Sequence, residues 1–257
     1  MRKTRGSIMF DLTGKVAIVT GCNTGLGQGM ALALANAGAD IVGVNRGVPE
    51  ETMALMAKTG RQFHSVIADM SKIDNVAHVV KEAVSAFGKV DILVNNAGII
   101  RRNDAIDFTE KDWDDVMDLN IKAVFFMSQG FAKQVIVQGT SGNIINIASM
   151  LSYQGGIRVP SYTASKSGVM GVTRLLANEW AQHGINVNAI APGYMATNNT
   201  DALRADKERS DEILSRIPAG RWGTPDDMAG PIIFLASEAS RYVNGYTIAV
   251  DGGWLAR

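Results

Sequence analysis

One cysteine, three histidines and no excess of either charge leave this chain few ways to act through its bulk composition. Cys22 has no partner for an internal disulfide, which suits a reducing compartment and gives the cytoplasm as the expected location. In its glycine-rich surroundings it reads as small filler rather than a catalytic thiol. His64, His78 and His183 are scattered, without the spacing of metal ligands, so no metal is expected. Lysine plus arginine and aspartate plus glutamate number 25 each, so no net field draws the protein to nucleic acid or an anionic membrane. Any anion must be recognised locally. No run approaches the ~20 apolar residues of a membrane span. The start carries Arg2, Lys3 and Arg5 but only Ile8-Met9-Phe10 as an apolar cluster, too little for a signal-peptide core. Residues 1–8 read as an extension before an alternative start at Met9. Internal repeats, low-complexity tracts and linkers are also missing.

What is present is 257 residues, 46% of them hydrophobic, enough for one large core in one domain. Short β-branched runs at residues 15–20, 40–45, 63–68, 90–95, 143–148, 186–191 and 246–250 predict seven strands. Between them, Leu26-Met30-Leu34, Ile73-Val76-Val80-Val84-Phe87 and Trp113-Val116-Met117 leading into Val124-Phe125 follow helical spacing. Near-continuous apolar strands joined by helices predict an α/β fold, a Rossmann-type doubly wound parallel sheet with helices on both faces. Residues 193–224 form the least regular segment, which fits either a substrate lid or an ordinary surface excursion. Unusual clusters follow strands one, four, five and six. In open α/β sheets ligands bind beyond the carboxyl ends of strands, so these clusters are expected to converge.

Thr20-Gly21-Cys22-Asn23-Thr24-Gly25-Leu26-Gly27 follows the first strand and opens the first helix. Glycines there let the backbone approach a pyrophosphate, whose charge the helix N-terminus stabilises. Gly21, Asn23, Thr24, Gly25, Leu26 and Gly27 are therefore candidate dinucleotide contacts. The second strand ends Gly43-Val44-Asn45-Arg46, where an acid would bind an adenosine ribose 2′-hydroxyl and repel a 2′-phosphate. Asn45 can bond the hydroxyl without repelling phosphate, and Arg46 either welcomes phosphate or points into solvent. Asp69 fits two roles equally, accepting from an adenine amino group or capping a helix. Asn96, Ala97 and Gly98 follow the fourth strand, their small size leaving room for a ribose. Beyond the sixth, Pro192-Gly193 makes a rigid turn that reaches Thr197.

Tyr162 and Lys166 stand four apart, with Ser149 thirteen residues upstream. On a helix, positions i and i+4 share a face, so the ammonium and the phenol emerge side by side. A nearby cation favours phenolate and is expected to draw the phenol down from a pKa of about 10 toward working pH. That pairing makes an acid/base catalyst.

These motifs together identify the chain as resembling the short-chain dehydrogenase/reductase family, from Leu12 to Arg257. The resemblance implies a catalytic tetrad of Asn120, Ser149, Tyr162 and Lys166, with Asn120 holding a water that connects Lys166 to solvent. It assigns the glycine loop to the pyrophosphate, Asn96 to the adenosine-side backbone, Thr197 to the nicotinamide carboxamide, and Lys166 also to the nicotinamide ribose. It implies NAD as cofactor, with Arg46 leaving NADP open. Val250-Asp251-Gly252-Gly253 resembles the family's C-terminal element, which implies a homotetramer. Members most similar in these segments act on small acidic sugars, whose carboxylate needs a local cation. Arg101, Arg102 and Arg158, near strand ends, are the candidates. A carrier-protein substrate would favour a basic docking patch, and no clear run supplies one. A non-catalytic nicotinamide-sensing module would not require the tetrad.

Overall fold

The computed structural model describes residues 9–257; the extension expected over residues 1–8 lies outside the described residues. Seven parallel strands form one sheet in the order β3-β2-β1-β4-β5-β6-β7. They are β1 Val16–Thr20, β2 Asp40–Asn45, β3 Phe63–Ile67, β4 Ile92–Asn95, β5 Gly142–Ile147, β6 Ile185–Pro192 and β7 Thr247–Val250. The predicted strands are all present, with ends differing by one or two residues. The order reverses between β1 and β4, which creates the crevice where an open α/β sheet takes its ligand.

Alternate residues of each central strand feed different cores. Ala17, Val19, Ile92 and Val94 pack with Met30 and Leu34 of helix α1 (Gly25–Asn36), while Met56 of α2 (Glu50–Met56) joins the same side. Val16, Ile18, Leu93 and Ile144 pack on the opposite face with Val76 and Val79 of α3 (Asn75–Phe87). Both faces are therefore apolar. This explains why the strands read as continuous hydrophobic runs rather than alternating ones. Each fully buried Leu, Ile or Phe contributes about 1.5–3 kcal/mol.

Helix α4 (Glu110–Met117) passes through a π turn, Asp118–Lys122, into α5 (Ala123–Gln138). The extra residue of that turn carries Asn120 inward, where it is fully buried. Helix α6 (Pro160–Trp180) starts with proline at its first turn and packs on β6. The segment read as least regular is more ordered than its sequence suggests. It contains α7 (Asp201–Ala205) and α8 (Lys207–Arg216), the latter capped by the Asp206 side chain on Arg209 N–H. In α8 only Ile213 is buried, so charged residues mask the helical pattern. Ile213 and Ile217 pack against Met150 and Trp254. Helix α9 (Ala229–Ala236) completes the face over α1.

Candidate active site

The clusters after β1, β4, β5 and β6 do converge. They line a cleft of ≈ 440 Å³ that runs from Asn45, Arg46 and Asp69 past Gly21 and residues 23–27 and 96–99 to Ser149, Tyr162, Lys166 and Thr197. Helix α1 opens onto it without a side-chain cap and without an acidic residue in its first turn. Its leading N–H groups therefore have neither an intrahelical acceptor nor a competing anion, as a pyrophosphate site requires. The glycines allow a very close approach. A Cβ at Gly27 would lie 2.0 Å from the Gly21 carbonyl oxygen, and Gly21, at φ +67, packs directly on Ala97. These residues fit a dinucleotide.

Asn96 serves this loop first. Its Nδ2 donates to the carbonyls of Thr20 (3.0 Å) and Gly21 (2.8 Å). Thr20, absent from the candidate contacts, proves central. Its hydroxyl oxygen accepts from both Asn96 N–H and Ala97 N–H at 3.0 Å. Register explains the consequence: Asn95 pairs with Asn146, so continued pairing would send Ala97 N–H to the Ile147 carbonyl. Thr20 takes that N–H instead, and Ile147 O accepts from Lys166 Nζ at 2.6 Å. The only sequence signal was a hydroxyl residue ending an otherwise aliphatic strand.

Tyr162 and Lys166 lie on one face of α6, with Nζ 5.6 Å from the ring centroid. The ammonium sits over the ring and bonds the Ile147 carbonyl. Burial lowers the Lys166 pKa to about 8. Burial raises that of Tyr162 above 10, against opposing contributions from the Ser149 side chain and the Arg102 charge. The expected lowering by Lys166 is therefore corrected in two respects. Desolvation outweighs the groups that oppose it, and Arg102, which the spacing did not point to, is one of them. Ser149 begins a short capping box. Its hydroxyl oxygen accepts from Leu151 N–H (3.1 Å), and its backbone N–H donates to Ser152 Oγ (3.3 Å). Ser152 in turn donates to the Lys166 carbonyl at 2.6 Å. Because Ser149 Oγ acts as acceptor toward Leu151, its own proton remains available to an oxygen in the cleft.

Asn120 does not line the cleft. Its side chain holds the loop after β4 by accepting from Ile99 N–H and donating to Ile99 O, both at 2.9 Å, with a longer contact to Ser165 Oγ at 3.4 Å. Asn45 turns inward, its Nδ2 3.4 Å from Cys22 Sγ and its Oδ1 buried without a partner. Arg46 is exposed at the cleft edge. Asp69 both lines the cleft and caps a turn, accepting from Ser71 N–H (3.0 Å) and Ser71 Oγ (2.8 Å). Burial raises its pKa, but Ser71, Arg46 and Lys72 together hold it below the usual carboxylate value. The three arginines separate. Arg101 pairs with Asp115 (3.2 Å) and Asp112 (3.5 Å), and exposed Arg158 pairs with Asp104 (3.0 Å). Arg102 has no carboxylate partner among the described residues and donates to the Asn199 carbonyl at 3.3 Å. Asn199 itself lines the cleft.

A doubly wound sheet with a phosphate-ready helix at its switch point and a Ser-Tyr-Lys wall defines a nicotinamide-dependent oxidoreductase. Residues 21–255 match the family model described as Enoyl-(Acyl carrier protein) reductase, and the chain belongs to the short-chain dehydrogenase/reductase family. A 2-dehydro-3-deoxy-D-gluconate 5-dehydrogenase of Escherichia coli (strain K12) is 72% identical over 248 residues, 96% of this chain and 98% of that protein. One of Dickeya dadantii (strain 3937) is 73% identical over the same shares. The crystal structure of a putative 2-deoxy-D-gluconate 3-dehydrogenase from Agrobacterium tumefaciens with bound NADP superposes with a TM-score of 0.91 at 56% identity, covering 96% of this chain and 99% of that one. This chain is an NAD(P)-dependent oxidoreductase acting on a hydroxyl group.

Proposed function

We propose that the protein interconverts 2-dehydro-3-deoxy-D-gluconate and 3-deoxy-D-glycero-2,5-hexodiulosonate, a step in the breakdown of pectin-derived uronates. The observation that carries the chemistry is the meeting of Ser149, Tyr162 and Lys166 on one wall of a nucleotide cleft. The near full-length likeness to the two 2-dehydro-3-deoxy-D-gluconate 5-dehydrogenases supports the substrate. Bound NAD(P) supplies a hydride acceptor, or a donor in the reverse direction. The chain's residues manage the proton. In oxidation the Tyr162 phenolate takes the substrate hydroxyl proton, and in reduction the phenol returns it. Ser149 donates to the same oxygen, a preorganised stabiliser of developing negative charge. Lys166, anchored on Ile147, holds the face of the ring, and Asn120 fixes the loop that borders the nucleotide. In this reading Asn120 also holds the water that connects Lys166 to solvent, since its bonds to Ile99 leave a second lone pair on Oδ1. Asn23, Thr24 and Leu26 with the glycines hold the pyrophosphate, while Thr197 and the Pro192-Gly193 turn face the carboxamide.

Among the candidate arginines, Arg102 best suits the substrate carboxylate, because Arg101 and Arg158 are already neutralised by aspartates. The segment from 193 to 224 serves as the lid: its residues 197–200 line the cleft and α8 anchors it to Trp254. We read the assembly as a homotetramer on its C-terminal element, and the location as cytoplasmic on its single buried thiol.

A panel of keto sugar acids and matched uncharged ketones, assayed with NADH and NADPH, tests the reading, with Tyr162→Phe run alongside. The 2,5-diketo acid should be the preferred substrate, and Tyr162→Phe should bind NADH yet lose about 10²–10⁴-fold in turnover. Preference for the uncharged ketones would overturn the substrate, and substantial turnover in Tyr162→Phe would remove the phenol from its role.

A further inference from the structure

Beneath the acid/base pair runs a buried polar chain that the reaction does not itself use. Asn95 of β4 and Asn146 of β5 stand opposite each other in register. Asn95 Nδ2 donates to Asn146 Oδ1 (2.9 Å) and to Ser128 Oγ of α5 (3.0 Å), and Asn146 Nδ2 donates to Thr173 Oγ1 of α6 (3.0 Å). Asn146, Ser128 and Thr173 have no exposed surface. The direction of the chain is fixed. Thr173 and Ser128 spend their single protons on the carbonyls of Val169 and Val124, at 2.7 Å each, so both hydroxyl oxygens can only accept from the amides. A flipped Asn146 would set oxygen against oxygen.

Thr173 lies seven residues after Lys166, on the same face of α6. Asn146 immediately precedes Ile147. Two neighbouring residues of β5 therefore cross-link to positions two turns apart on one helix face. One link is the contact from Asn146 to Thr173 and the other is that from Lys166 Nζ to Ile147 O at 2.6 Å. Only the first is rigid, because threonine has one χ angle whereas the lysine stem has four. The neighbour on the other side of Asn146 in the chain, Asn95, precedes Asn96, which pins the glycine loop.

We propose that Thr173 is a positioning residue for catalysis: through Asn146 it sets the height and rotation of α6 over β5, and so places Lys166 on the Ile147 carbonyl and Tyr162 in the cleft. The inference rests on the assignment of Tyr162 and Lys166 given above. Ser128 provides the internal comparison, since it satisfies the same network from α5, which carries no acid/base group. Loss of either hydroxyl removes one buried acceptor, but only Thr173 connects to the catalytic helix.

The test is steady-state kinetics and thermal melting of Thr173→Val, Thr173→Ser and Ser128→Ala. Thr173→Val should lose roughly tenfold in kcat with a clearly smaller change in the KM for NADH, because small misplacement of reacting groups is costly while the pyrophosphate loop is untouched. Thr173→Ser keeps the hydroxyl and should stay within about threefold of the parent. Ser128→Ala should melt lower, as Thr173→Val does, yet keep its kcat. Equal kcat losses in Ser128→Ala and Thr173→Val, or a parental kcat in a destabilised Thr173→Val, would overturn the proposal. If Thr173→Val does not accumulate, Thr173→Cys, a weaker acceptor of similar size, should show the same split with smaller amplitude, and a parental kcat there overturns it equally. Tyr162→Phe in the same series separates the two levels: turnover retained by Tyr162→Phe removes the underlying assignment, whereas an inactive Tyr162→Phe beside a fully active Thr173→Val removes the strut alone.

Discussion

A single methyl group at Gly27 tests the nucleotide cleft with little else disturbed. An ideal Cβ at this position lies 2.0 Å from Gly21 O and 2.4 Å from Asn96 Nδ2. Comfortable contact needs a separation of roughly 3.5 Å, so α1 must retreat from the loop by more than about 1 Å. The Gly21 carbonyl cannot yield easily, because it already accepts from Asn96 Nδ2 at 2.8 Å. Overpacking of this kind costs about 1–3 kcal/mol of stability. The functional cost is separate. The retreat carries the uncapped N–H groups of α1 away from the pyrophosphate, and each hydrogen bond to a charged group is worth about 1.5–3 kcal/mol. Losing one of them weakens NADH by about 10–100-fold, since about 1.4 kcal/mol is a factor of ten. Calorimetric titration of Gly27→Ala with NADH, beside a thermal melt, reads both effects. Gly230→Ala in α9 is the control, because a Cβ there meets nothing within 4 Å, and it should bind NADH as the parent does. A folded Gly27→Ala with NADH affinity within about threefold of the parent would refute the reasoning, since the close approach of helix and loop would then not shape the phosphate site.

Lys166 should give the pH dependence of turnover a recognisable form. Burial brings it from 10.5 to about 8, so the ammonium is lost as pH rises through about 8 and turnover should fall there. Its stability effect has the opposite sign: between about 8 and 10.5 the unfolded chain binds more protons at this group, so its contribution to stability rises with pH. Activity and melting temperature measured over that window should diverge, and whatever turnover Lys166→Arg retains should lack the limb; the same limb in Lys166→Arg would assign it to another group. Arg102→Gln should raise the KM for the keto acid by about tenfold or more while leaving an uncharged ketone nearly unaffected, as expected for a lost charged contact. The same change removes a charge that favours the Tyr162 phenolate, so the pH profile of alcohol oxidation should move to more alkaline values. Equal KM changes for both substrates would make Arg102 a packing residue.

How far the sequence reached depended on the range of the interaction. Strands were legible because both faces of the sheet are buried, which writes a continuous apolar run into each. Their ends were less so: β4 begins at Ile92 rather than at residue 90 because the Val90 N–H is taken by Gln138 Oε1, 48 positions away. In the site, the glycine loop and the Tyr162 and Lys166 spacing were local and therefore visible. The pairing of Arg158 with Asp104, the link from Thr20 to Ala97 and the inward turn of Asn45 depend on partners brought together by folding. The phenol shows most clearly what local spacing leaves out. An i, i+4 lysine predicted a lowered Tyr162 pKa, yet the fold buries Lys166, half-buries Tyr162 and draws Nζ onto Ile147 O, and desolvation of the phenol outweighs the Ser149 hydrogen bond and the Arg102 charge that oppose it. Arg102 is 60 positions from Tyr162 in sequence and is itself tethered to the carbonyl of Asn199 in the segment after β6. A carboxylate that bound Arg102 would offset the charge now favouring phenolate. The phenol would then hold its proton more firmly, the form that reduction requires. On the proposed role of Arg102, binding of an acidic substrate would raise the share of enzyme that holds the phenolic proton, without altering the equilibrium of the reaction.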